Sequence, residues 1–288
     1  MKKIISTLLI FAIVLNIVSA QVPTEKTLLW QIKQRGISKP SYLFGTIHLM
    51  CKDDIKVPPI VKERFDATKQ LYMEIDTDDP KMMAAMMNNM KMKDSVTLQQ
   101  LMGSRYDTIS KVFLSVTKGT PLSILSVFKP IFLMSYLYPT LLGCMPASWE
   151  KEFENMAKEK KKEIHGLEKL KDQFDIFDKI PYQEQADLFV KLLMNGDSSK
   201  IAMQKLLDIY NKKDVAQLNQ LTIMDDDLKK YEDILLTNRN QNWIPIIGRE
   251  AKKQPTFFAF GAGHLGGVNG VIALLRNAGY KVTAVMYE

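Results

Sequence analysis

Histidine is scarce in this chain, with three in 288 residues, so imidazole chemistry has only His48, His165 and His264 to draw on. Cysteine is scarcer still: Cys51 and Cys144 stand alone. They allow one disulfide, or a Cys51 thiolate joining a metal three residues beyond His48, although a lone thiolate without a partner spacing is a weak metal signal. No basic stripe interleaved with aromatics is present, which argues against nucleic acid. Charge is a mild excess, +7 over the whole chain, spread in mixed-sign runs such as Lys158-Glu159-Lys160-Lys161-Lys162-Glu163 that mark solvated helix faces. Past the first 20 residues no stretch reads as a bilayer span. The most apolar, Leu122 to Leu142, carries Lys129-Pro130 in its middle and Pro139 near its end, and a central lysine is costly in lipid. One or two buried or groove-lining helices are expected there instead. Low-complexity tracts and linkers are also missing.

The chain opens Met1-Lys2-Lys3, runs apolar from Ile4 and closes Val18-Ser19-Ala20. A basic start, an apolar middle and small residues at −3 and −1 make a secretory signal peptide, with an uncleaved anchor as the competing reading. Cleavage after Ala20 leaves 268 residues, and removing Lys2 and Lys3 lowers the charge to +5. No cysteine follows the cut, so a lipoprotein is not expected. The mature protein is placed in the periplasm or outside the cell, with no stable membrane span.

Leu28–Gln34 and Ser41–Phe44 read as strands joined by the turn-rich Arg35–Pro40. Pro58-Pro59 opens a helix through about Thr68, and Leu71–Asp76 follows as a strand ending in acid. Strand, helix and strand in that order predict a parallel α/β unit, with ligands beyond the carboxyl ends of the strands. His48 and Glu74 both fall there. Asp79-Pro80 starts a helix rich in methionine (Met82, Met83, Met86, Met87, Met90, Met92), read as core packing in preference to a groove wall. An amphipathic helix over Trp149–Lys162 leads to the strand Glu163–Glu168, again closed by a carboxylate. Helices fill Tyr182–Leu236 and continue to about Lys253. Phe257–Phe260 is the last core strand, Val268–Asn277 a helix stopped by Gly279, and Lys281–Val285 a final strand. Two α/β lobes are expected, feeding one cleft, with a helical insertion over about 80–255 in a single domain covering 21–288.

One motif occurs twice. Tyr42-Leu43-Phe44-Gly45-Thr46-Ile47-His48 and Phe258-Ala259-Phe260-Gly261-Ala262-Gly263-His264 are each an apolar run broken by glycine, with histidine three residues later. Glycine permits positive φ or close approach, so each histidine can leave its strand and enter a cleft. The duplication points both at one site. His165 lies inside a strand, has no such exit, and reads as structural.

These residues resemble the TraB/PrgY/GumN superfamily. The match carries Gly45-Thr46-Ile47-His48, Glu74 with Asp76, Gly166-Leu167-Glu168, Arg239-Asn240 and Phe257–His264, together with Val271–Arg276 and Gly279-Tyr280. Within it the carboxyl-terminal part is similar to the Tiki metalloproteases, and more distantly to erythromycin esterase. One departure is Ser148-Trp149-Glu150, where many relatives carry Gly-x-Asp. The resemblance implies a metal-dependent peptidase or related hydrolase acting on peptide or protein, with manganese or cobalt favoured. On chemistry alone nitrogen and oxygen ligands also admit zinc. His48, His264 and Glu74 are the expected ligands, and Glu168 is the expected general base, with exchange of roles between the two glutamates left open. A metal-free version has a histidine activate water while a glutamate orients it. Arg239 either clamps a substrate carboxylate or oxyanion or pairs with Glu74 or Glu168. Asn240, about 100° further round the helix, caps or orients. The alternative to an enzyme is a non-catalytic periplasmic protein that binds peptide, metal or haem in the same cleft.

Overall fold

A computed structural model describes residues 22–33, 36, 39–223 and 226–288. The leader and part of the turn at 35–40 lie outside the described residues. The strands are β1 (Leu29–Lys33), β2 (Ser41–Thr46), β3 (Met50–Cys51), β4 (Gln70–Met73), β5 (Pro146–Ala147), β6 (Glu163–Gly166), β7 (Thr256–Gly261) and β8 (Lys281–Ala284). Six of them form one mixed sheet in the order β6-β4-β7-β2-β1-β8, while β3 and β5 form a short separate ladder. The architecture is mixed α/β.

The expected division into two lobes gives way to this single sheet. β7, from the carboxyl end, inserts between β4 and β2 and is parallel to both. The reason is visible in its sequence, Thr256-Phe257-Phe258-Ala259-Phe260-Gly261, apolar on both sides. Such a strand is stable only at the centre of a sheet covered on both faces. One face carries Phe44 and Phe257 against Phe65, Trp149 and Phe153 from the helices Pro59–Asp66 and Trp149–Glu159, with ring centroids 5.1–6.3 Å apart. The other carries Phe258 beside Tyr72 and Phe260 beside Trp243 of the helix Asn238–Lys253. Phe257 is fully buried, and truncating it to alanine is expected to cost about 3–5 kcal/mol.

The segment between β4 and β7 is helical except for β5 and β6, and β6 returns to the sheet as its edge. A second apolar core, including Leu98, Phe113, Leu133 and Phe189, holds the first half of this segment together. Leu122–Leu142 holds two short helices, in line with the expected one or two: Pro130–Leu133 and Tyr138–Leu142, each with a proline in its first turn and with Leu133 and Leu141 buried. Buried Lys129 is paired with Asp178 at 2.6 Å. The methionine helix, Met82–Asn89, has no buried residue, and Met83 and Met87 are exposed. The methionines of this helix are not core packing, whereas Met92, beyond its end, does join the second apolar core. Among the described residues no helix is long and apolar enough to cross a membrane.

Candidate active site

Four neighbouring strands, β6, β4, β7 and β2, are parallel, so their carboxyl ends lie along one edge. Just beyond those ends stand Glu168, Glu74, His264 and His48, in that spatial order. The glycines of the repeated motif explain the close approach. A Cβ on Gly45 would meet Leu265 Cδ1 at 2.6 Å and Ala262 Cβ at 2.9 Å, so the turn that carries His264 packs directly on β2. A Cβ on Gly261 would stand 3.2 Å from Glu74 Oε1, 3.5 Å from His48 Nε2 and 3.6 Å from the His264 ring. The missing side chain leaves a cradle onto which both histidines and the carboxylate converge.

Glu74 is the centre of that cradle. Its Oε1 accepts the Gly261 N–H at 2.8 Å, and its Oε2 accepts Gln173 Nε2 at 3.1 Å and Arg239 Nη2 at 2.5 Å. His48 Nε2 and His264 Nε2 lie 3.8 and 4.0 Å from the same Oε1. Burial pulls the Glu74 pKa upward, but the Arg239 guanidinium and the two imidazoles hold it well below the usual carboxylate range. Glu74 therefore stays ionised at every working pH.

The two histidines differ in character. His264 is buried, with Nδ1 2.6 Å from Asn240 Oδ1 and its ring 4.5 Å from that of Trp243. Desolvation, with Arg239 adding to it, pushes its pKa down to about 3. It is a neutral imidazole that donates Nδ1–H to Asn240 and turns the Nε2 lone pair inward. His48 has 64% of its side chain exposed, with Nδ1 3.0 Å from Glu150 Oε1. Desolvation opposes its charge, yet the hydrogen bond to Glu150 and the charges of Glu150 and Glu74 raise its pKa to about 9. At neutral pH it carries a proton.

Arg239 is fully committed. Its Nε–H faces both Glu168 oxygens at 3.1 and 3.2 Å, Nη1 donates to Leu235 O at 3.1 Å and to His264 Nε2 at 3.2 Å, and Nη2 serves Glu74 and, at 2.6 Å, Glu168 Oε1. A guanidinium has five N–H groups, and all five are engaged. This favours the ion-pair role over the substrate clamp. Glu168 is held in turn by Arg239 and by Trp243 Nε1–H at 3.2 Å. Asn240 Oδ1 accepts from His264 Nδ1, and its side-chain amide donates to Asn269 O at 2.8 Å. His165 lies away from this group, its ring 4.9 Å from that of Tyr72.

Residues 28–284 match the TraB/PrgY/gumN family. The chain belongs to that family. The metalloprotease TIKI1 of Danio rerio is 23% identical over 312 residues, covering 88% of this chain and 62% of that protein. The chain thus spans less than two thirds of this relative's length. No solved structure matches it.

Whether this TraB/PrgY/gumN chain can hold a metal is a question of donors. Among the described residues no group of three His, Cys, Asp or Glu side chains is already spaced as a metal site, and Arg239 Nη1 occupies the His264 Nε2 lone pair. The chemistry of the set nevertheless fits a divalent ion. Both histidines have Nδ1 against an acceptor, the arrangement that fixes metal-binding imidazoles. His48 Nε2, His264 Cδ2 and Glu74 Oε1 border the Gly261 cradle. With His48 neutral, Glu74, Glu150 and Glu168 against Arg239 leave a charge of about −2, which a dication neutralises. Accepting the ion requires Arg239 Nη1 to leave His264.

Reasoning from sequence passed over Glu150, Gln173 and Trp243 as site residues. Glu150 was noted only as the departure from Gly-x-Asp, and that position was the available signal. Cys51 and Cys144 form a disulfide, which removes Cys51 as a metal ligand.

Proposed function

We propose that the chain is an exported hydrolase that cleaves amide bonds in peptide or protein substrates. The observation that carries this is the approach of two histidine Nε2 atoms to one oxygen of an ionised carboxylate, each with its Nδ1 pinned by a separate acceptor. His48, His264 and Glu74 would hold a divalent ion, manganese, cobalt or zinc. Such an ion, when bound, lowers the pKa of water to near 7 and polarises the scissile carbonyl.

The residues themselves supply the remainder. Glu74, kept anionic, orients the attacking water through Oε1, the oxygen that faces both histidines. In the metal-free reading His48, the exposed and basic imidazole, carries a proton at neutral pH and is placed to hand it to a departing amine; as a metal ligand it would instead give its Nε2 lone pair to the ion. Glu168 has both oxygens occupied by Arg239 and Trp243, which suits it to fixing Arg239 rather than to the base role its position implied. Clefts of about 550 and 410 Å³ border the two ends of the row, one lined by Leu49, Ile55 and Pro146, the other by Glu168, Ile176 and Arg239. A chain crossing the strand ends would have a subsite on either side, which favours a polymer over a small ester. Export is supported by the disulfide, which persists in oxidising compartments.

A metal-free reading is favoured by one contact, Arg239 Nη1 on His264 Nε2, which already fills the lone pair that a metal would need. Cleavage of internally quenched peptides of diverse sequence, with added manganese, cobalt or zinc and with chelator, separates the cases. Turnover that vanishes with chelator supports the metal reading, and turnover that survives supports the other. Absence of turnover under every condition overturns the hydrolase.

A further inference from the structure

The site contains a carboxylate that no motif announced. Glu150 Oε1 takes two hydrogen bonds, from Thr46 Oγ1 at 2.6 Å and from His48 Nδ1 at 3.0 Å, while its Oε2 is buried with no partner. Burying a carboxylate that is half unsatisfied is unfavourable, so its position is imposed by something stronger than its own contacts. Two constraints impose it. Ser148 caps the helix Trp149–Glu159, its Oγ accepting Lys151 N–H at 3.1 Å, which places Glu150 in the first turn, where a carboxylate is favoured. The Cys51–Cys144 disulfide then ties this segment to the one carrying His48.

The tie is close on both sides. Cys51 lies three residues after His48, and Cys144 six before Glu150. Between them β3 and β5 pair Met50 with Ala147 and Cys51 with Pro146, and Lys52 N–H reaches Met145 O at 3.3 Å. A ladder of two residues per strand is too short to hold itself. His48, with 64% of its side chain exposed, has little packing of its own to fix its ring.

We propose that Glu150 and the Cys51–Cys144 disulfide form one positioning device, in which the disulfide holds Glu150 against His48 Nδ1 and thereby aims His48 Nε2 at Glu74. A dithiol would open it, giving two cysteine thiols and becoming a disulfide itself. Glu150 acts through His48 and touches no substrate. This rests on the proposal that His48 works at the site, but its primary readout does not depend on turnover.

With three histidines in the chain, ¹⁵N-histidine labelling of the full chain resolves each imidazole. In alkaline buffer, with the imidazole neutral, the oxidised protein should show His48 as the Nδ1–H tautomer, because Nδ1 faces Glu150 Oε1 at 3.0 Å. Anaerobic dithiothreitol, or Cys51→Ser with Cys144→Ser, should shift it towards the Nε2–H form that free imidazole side chains prefer, while the His264 signal stays unchanged and certifies the fold. Glu150→Ala, with its disulfide intact, should give the same shift and covers the case in which the cysteine variants misfold. In peptide cleavage each perturbation should lower kcat at least ~10-fold at unchanged KM. A His48 tautomer unmoved by both reduction and Glu150→Ala overturns the proposal, even if the protein cleaves peptides. A shifted tautomer in a protein without turnover upholds the device and removes the hydrolase instead.

Discussion

Arg239→Met should be among the most damaging single changes outside the apolar core. Arg239 serves two carboxylates whose side chains are only 8% and 10% exposed, those of Glu74 and Glu168. Methionine keeps much of the length of the side chain and removes every donor. Removing one partner of a buried pair costs about 3–5 kcal/mol, because a charge is left uncompensated. The lower part of that range applies if Gln173, the Gly261 N–H and Trp243, which remain as donors, compensate well. For a chain of this size the loss corresponds to about 6–20 °C in Tm. Adding Glu168→Gln, which removes one stranded charge, should recover about 1–3 kcal/mol relative to additivity. Urea unfolding of wild type, both single variants and the double variant at pH 7 provides the cycle. A loss under about 1 kcal/mol for Arg239→Met, or strict additivity, would refute the view of Arg239 as the structural hub of the site.

Further outcomes are expected. Metal affinity should rise between pH 6 and 9, since His48 must shed the proton it holds with a pKa of about 9; calorimetry in buffers of differing ionisation enthalpy should find about one proton released per ion. Without metal, stability should peak near pH 6.5: it falls progressively below because the unfolded chain protonates His264 near 6.5 whereas the folded one does so only near 3, and it falls towards pH 9 as His48, whose folded pKa is about 9, loses its proton. His264→Asn should flatten that acid limb in thermal melts. Glu168→Gln should leave metal affinity within a few-fold, whereas His264→Ala should lose metal and turnover together in a titration run beside the cleavage assay. The exported protein should begin at Gln21 on N-terminal sequencing, and intact Met1 in the membrane fraction would indicate an anchor.

The edge of the sheet that carries the site was readable because its signal is local. Apolar runs ending in Glu74, Glu168, His48 and His264 announce strand ends, and the repeated glycine marks where backbone and side chains approach closely. Sheet order is not local. That β7 lies between β4 and β2 depends on pairing across 215 residues to β2 (Tyr42 to Phe257) and 186 to β4 (Gln70 to Thr256), so two lobes and one sheet look alike in sequence. The methionine helix failed for a related reason: the apolar spacing of Met82–Met90 describes a face without saying what covers it. Glu150 was hidden because the side chains it meets, Thr46 and His48, lie about a hundred residues earlier and are joined to it only in the fold. Arg239 could be named from sequence as a candidate, but a choice between clamp and ion pair required a count of its donors.

The most direct test of a reacting centre at Glu74 is single-turnover peptide cleavage by Glu74→Gln beside wild type, each checked for folding by its melt. Glutamine keeps the shape and can still accept the Gly261 N–H, but cannot carry the charge that faces both histidines. Cleavage should fall ~10²–10⁴-fold with substrate affinity largely retained. Equal cleavage by the two proteins would contradict a catalytic role for the carboxylate on which both histidines converge.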